Sequence, residues 1–123
     1  MERIIITVDE HGEVFVPNGE IWMSEMELTD LFGVISPTVR ATIHAVYKSE
    51  VLKEYEAERC IHLPNGNSLD VFGLPMIVAL AFRIHSFGAE KVRHTLLERM
   101  YRRKENIAIF LSFGGNGLQN ALS

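Results

Sequence analysis

The spacing of apolar side chains changes along the chain, and each change marks a new element. Residues 3–8, RIIITV, and residues 13–17, EVFVP, are β-branched or alternating around the turn DEHG. This predicts an N-terminal β-hairpin. The spacing then lengthens: Leu28, Leu31 and Phe32 recur at i, i+3, i+4, the mark of a helix with one buried face. Ser24 is the expected N-cap. Glu27 three residues on completes a capping box, and Met23 can staple onto Leu28. Gly33 suits the left-handed conformation that ends a helix.

A second helix follows at once. Val39, Ile43 and Val46 form its inner stripe. Ser36 is the expected cap, with Pro37 at the first helical position, where a missing N–H costs little. The opposite face carries Pro37, Ala41, His44 and Lys48, with Arg40 at its edge. After the charged stretch KEYEAE, residues 53–58, two short apolar runs flank PNGN. An Asn-Gly pair in that setting predicts a hairpin closed by a type I′ turn. Residues 74–85 are apolar on nearly every side and predict a buried helix. A last helix over residues 89–104 places Val92, Leu96 and Met100 inward and pairs Glu98 with Arg102.

The expected fold is therefore α+β: a winged helix-turn-helix with an N-terminal β-hairpin, a wing hairpin and two C-terminal helices. It occupies residues 1–104. Residues 105–123 form an extension, apolar in IAIFL (residues 107–111) and then a Gly/Asn-rich tail expected to be mobile. A chain of 123 residues with 47% hydrophobic content can form one domain with its own core. The single cysteine, Cys60, excludes an intrachain disulfide and fits a reducing, cytoplasmic setting. The acidic start MERIIITVDE lacks the cationic region of a secretion signal, and the run VFGLPMIVALAF is too short to span a bilayer.

Charge is unevenly placed. Before Arg83 there are thirteen acids and five bases; from Arg83 onward there are three acids and seven bases. Such asymmetry can mark a face that docks an anion.

The sequence WMSEMELTDLFGVISPTVRATIHAVYKSEVL, a hairpin, and then LPMIVALAFRIHSFGAEKVRHTLLERM resembles the RhuM-like virulence-protein family over residues 13–101. Trp22, Met23 and Ser24 match its entry motif, and Leu31, Phe32 and Gly33 its first helix end. Thr38, Val39 and Ile43 match its second helix. Leu74, Ile77, Val78, Phe82, Arg83 and Ile84 match its buried helix, and Val92 and Arg93 stand where the family has Phe-Arg. The resemblance implies a winged helix-turn-helix that binds DNA in a bacterial or phage regulatory role. This chain departs from the family in a second helix poorer in Arg and Lys, in Pro75 where an Asp stands, and in Ser86 and Phe87 where the family has a basic loop.

On this reading the second helix enters the major groove of double-stranded DNA with Ser36, Thr38, Arg40, Ala41 and His44 placed to read bases. Arg40 can address guanine, and Ala41 a thymine methyl. Lys48, Lys53, Arg59, Arg99, Arg102, Arg103 and Lys104 are the expected phosphate contacts. Asn65, Gly66 and Asn67 form the wing tip. The alternative is a protein-binding module on the same fold, motivated by net acidity and by the Pro/Ala content of that helix face. A homodimer is expected from IAIFL. Cys60-x-His62 matches no common zinc spacing, and no P-loop, G-x-S-x-G or H-E-x-x-H occurs. The sequence therefore predicts no metal, no cofactor and no enzymatic activity.

Overall fold

The computed structural model describes residues 3–114, with side chains described for residues 3–102. The fold is α+β, with two small antiparallel sheets and five helices. The first sheet pairs β1 (Thr7–Val8) with β2 (Val14–Phe15). The second is built from β3 (Trp22–Ser24), β4 (Glu58–His62) and β5 (Ser68–Gly73), in the order β3-β5-β4. Between β3 and β4 the chain forms α1 (Glu25–Phe32), α2 (Ser36–Lys48) and the short α3 (Glu54–Ala57). After β5 come α4 (Leu74–Arg83) and α5 (Phe87–Gly114).

Local signals account for most element ends. The hydroxyl of Ser24 accepts the Glu27 N–H at 3.3 Å, and the Glu27 carboxylate accepts the Ser24 N–H at 2.8 Å, so the expected capping box is formed. Gly33 adopts φ 64° and closes α1. The chain then needs only Gly33, Val34 and Ile35 before α2 begins. Here the cap expectation is corrected. Ile35 is the N-cap, without a side-chain bond, and Ser36 is already helical. The amides of Thr38 and Val39 both reach the Ile35 carbonyl, and Pro37 has no N–H to satisfy, so a side-chain cap is not required.

The N-terminal hairpin is shorter than its sequence pattern suggests. Only two residues pair on each strand, because residues 3–6 turn toward the other sheet. Ile4 bridges Ile21 in parallel, and the Trp22 N–H donates to the Ile4 carbonyl at 3.3 Å. This places Ile6 in the core and brings Arg3 to the start of α1.

Two further expectations are corrected. The turn between β4 and β5 is not type I′, which needs positive φ at both central residues. Only Gly66 is positive there, at φ 88°. The Gly66 N–H instead donates to the Leu63 carbonyl at 3.1 Å, leaving Pro64 and Asn65 as the central pair, and Leu63 N–H meets the Asn67 carbonyl at 2.7 Å. Proline favours that first central position, and its presence decides the turn over the Asn-Gly signal. Met100 does not point inward. It is 64% exposed, whereas Leu96 is buried, because the core against which α5 packs ends one turn earlier. α5 runs on past residue 104 to Gly114. Arg103, Lys104 and the side chains of IAIFL lie outside the described residues, as does the Gly/Asn tail beyond Gly114.

One core joins all the helices: Leu28, Phe32, Val39, Val46, Met76 and Val92 are fully buried within it. The tightest joint is where α5 starts against the end of α1. Ser86 donates its hydroxyl to the Phe32 carbonyl at 2.7 Å and accepts the Ala89 N–H at 3.0 Å. The negative end of one helix thus meets the positive end of another. A Cβ on Gly88 would lie 2.5 Å from the Phe32 carbonyl oxygen. Gly88→Ala is therefore expected to destabilise by about 1–3 kcal/mol through forced backbone separation. Gly33→Ala meets nothing within 4 Å and should lose only about 1 kcal/mol through its left-handed φ. Urea unfolding of both variants checks that order.

Candidate nucleic-acid interface

The three-residue turn between α1 and α2 leaves one face of α2 uncovered. Val39, Ile43 and Val46 are buried, while Pro37, Arg40, Ala41, His44 and Lys48 are exposed. Ser36 and Thr38 are half-buried at the start of the helix, and the Thr38 carbonyl accepts the Thr42 hydroxyl at 2.7 Å. The proposed base-reading residues therefore share one helix end, with Arg40, Ala41 and His44 the most accessible. Their chemistry is sparse: one guanidinium, one imidazole and a methyl.

Arg40 has a partner. Its Nε lies 2.7 Å from Glu25 Oε1 in the first turn of α1. Glu25 is only partly exposed, whereas the Arg40 side chain is 66% exposed. The carboxylate thus sits behind the guanidinium and leaves its outer end toward solvent. Among the described residues, no hydrogen bond engages Nη1 or Nη2.

The candidate phosphate contacts separate into two groups. Lys48 ends α2 on the same side as its open face, where a cation also favours the helix dipole. Lys53 follows within five residues and lies 5.9 Å from the Tyr55 ring centroid. Arg59, on β4, packs 4.3 Å above the Trp22 ring. That packing has a backbone cause. Trp22 pairs with Gly73 on the intervening strand, and the ring edge lies 3.2 Å from where a Gly73 Cβ would stand, so the glycine lets the indole lie close across the sheet. Arg99 and Arg102 belong elsewhere. They line an open groove of about 820 Å³ between β2 and α5, together with Phe15, Lys91 and His94. Arg99 donates to the Val16 carbonyl at 2.7 Å and to Asn18, and Arg102 pairs with Glu98 at 2.8 Å. α5 packs on α1, α4 and β2, whereas α2 packs on α1 and α4. The structure therefore does not bring Arg99 and Arg102 to the α2 face.

The tip of the β4–β5 hairpin, Asn65, Gly66 and Asn67, is exposed, and the Asn67 N–H donates to the Asn65 side chain at 3.0 Å. Cys60 and His62 project from the same face of β4 and are exposed. No group of three His, Cys, Asp or Glu side chains among the described residues could hold a metal ion. No helix among them is long and apolar enough to cross a membrane.

Two contacts that fix this surface have no signature in local spacing. Arg3 donates to both Glu27 carboxylate oxygens and to the Trp22 carbonyl. Tyr47 on α2 donates to Glu58 on β4 at 2.9 Å, tying the open helix to the hairpin. Burial, the Glu58 hydrogen bond and the nearby negative charges push the Tyr47 hydroxyl well above its ordinary value. Burial also raises Glu58, helped by Glu54 and Asp70 and opposed by the Tyr47 bond. At Glu27 burial acts upward, but the bonds from Arg3 and Ser24 outweigh it and hold the carboxyl below its usual range.

No protein-family profile, characterised protein or solved structure matches this chain.

The lowered Glu27 value has a signed consequence. Its contribution to stability is complete above the unfolded carboxylate range and is lost as pH falls through the lower folded value. Unfolding midpoints measured from pH 7 to pH 3 should show a smaller acid-side loss for Glu27→Gln than for wild type, from a lower starting stability.

Proposed function

We propose that this chain is a winged helix-turn-helix module that binds double-stranded DNA, with α2 as its reading helix and the β4–β5 hairpin as its wing. The single observation that carries the reading is the arrangement around β5. β3 leads into α1, a three-residue turn leads to α2, and β4 and β5 return as a hairpin whose second strand pairs with β3. This leaves one face of α2 open and the hairpin tip exposed. An open helix of this kind is the part that enters a major groove in helix-turn-helix proteins.

The face assigns roles. Arg40 is the base-reading cation, Ala41 and His44 flank it, and Ser36 and Thr38 lie at the helix start. Lys48 and Lys53 supply phosphate contacts, and Asn65, Gly66 and Asn67 approach the backbone from the wing. The setting proposed is regulatory and cytoplasmic. Leu97, Met100 and Tyr101 leave an exposed apolar stripe on α5. Pairing through it with a second copy would let two reading helices address successive half-sites.

A second reading, docking onto a protein, is favoured by a specific observation. Lys91 and Arg99 of α5 engage the N-terminal hairpin, so they do not add charge to the α2 face. The two readings differ in salt response. DNA binding through Lys48 and Lys53 predicts a shallow but measurable dependence, and Lys48→Ala with Lys53→Ala should reduce the slope of log K against log salt by about 2. Arg40→Ala should cost about 1–3 kcal/mol on a preferred site and less on random duplex. Titrations of labelled duplex from low to physiological salt make the measurement. Absence of binding at the lowest salt, with a protein partner retained at high salt, would establish the second reading.

A further inference from the structure

We infer that Glu25 is a positioning residue for the reading arginine, and that the α1–α2 ion pair sets base preference rather than neutralising the DNA-facing surface. The inference rests on the DNA-binding reading above. An acid beside the main cation of a DNA-binding face is, by net charge alone, an obstacle to binding. Its position gives it another role. Glu25 meets Arg40 at Nε, 2.7 Å away, on the side of the guanidinium nearest the Arg40 backbone. Among the described residues, no hydrogen bond engages the two terminal nitrogens. Guanine presents two acceptors, O6 and N7, to a pair of parallel N–H donors, and Nη1 and Nη2 form such a pair.

Without a partner, an exposed arginine side chain samples many rotamers, and that freedom is lost on binding. Glu25 restricts it beforehand. The backbone of Glu25 is anchored, because Glu25 follows the buried N-cap Ser24. Glu25 also lies at the positive end of α1, which favours its charge. The acid nearest Arg40 is thus fixed by the same strand-to-helix joint that orients α1. The nearby carboxylate Glu27 is engaged by Arg3 and does not compete for Arg40. A lysine in place of Arg40 could pair with Glu25 but would lack the two-donor fork.

The test uses the full chain and a pool of duplexes randomised over one site, with bound sequences read out for wild type, Arg40→Ala, Arg40→Lys, Glu25→Gln and Glu25→Asp. Wild type is expected to select a guanine at one position by about tenfold or more over other bases, and both Arg40 variants should lose that preference. Glu25→Gln and Glu25→Asp should broaden the same position while affinity for scrambled duplex stays level or rises. Glu25→Asp keeps the charge at the helix start, so a loss shared by both variants reports position rather than folding, and melting temperatures confirm that each is native. Glu25 variants that raise affinity for every duplex and keep the guanine preference would overturn the inference while leaving DNA binding intact. Failure of wild type to enrich any sequence would remove the DNA reading and this inference together.

Discussion

Ser24 is the joint on which the arrangement depends. It is the last residue of β3, paired across to Val71 on β5, and it is also the N-cap of α1. A flexible linker at this point would let the helices swing relative to the sheet. Instead one residue belongs to both, and it is 5% exposed. Its reciprocal bonds with Glu27 satisfy amides that a helix start leaves open. Arg3 then binds Glu27 from the N-terminal segment, so three parts of the chain meet at one carboxylate. The direction of α1 follows from this joint, and the short turn at Gly33 carries that direction into α2.

β5 extends the same frame to the hairpin. It is the central strand, pairing with β3 on one side and β4 on the other. The base of the hairpin is therefore referenced to a single strand, and the Tyr47–Glu58 bond ties α2 to the first residue of β4. On the far side, α4 and α5 close the core. Arg93 donates to the carbonyls of Ala81 and Ile84 at the end of α4, and Lys91 donates to the Gly12 carbonyl. Several cations that look available in a charge count thus serve as helix caps or loop ties. Net charge is a poor guide here because it does not separate a free cation from one bonded to a carbonyl.

What was legible in the sequence is what depends on neighbours three or four residues apart. The capping box at Ser24 and Glu27, the left-handed Gly33, the buried stripe Val39, Ile43 and Val46, and the Glu98–Arg102 pair all have that range. What was not legible depends on folding partners. Arg3 meets Glu27 across 24 residues, Arg99 meets Val16 across 83, and Arg40 meets Glu25 across a helix turn that no periodicity encodes. Met100 continues the apolar stripe of α5 but is exposed, since spacing shows which side faces inward and not where the core stops. At the β4–β5 turn, two valid signals competed, and Pro64 determined the turn that the Asn-Gly pair alone would have made differently.

The central claim is that the open face of α2, together with the exposed hairpin tip, is the surface that meets DNA. The most direct measurement is an amide and side-chain chemical-shift map recorded while a duplex is titrated into labelled protein at low salt. The account predicts changes concentrated at Arg40, Ala41, His44 and Lys48 and at Asn65, Gly66 and Asn67, with the β2–α5 groove unaffected. Changes confined to Phe87, Lys91, His94 and Arg102 in that groove, or no changes at all, would contradict it.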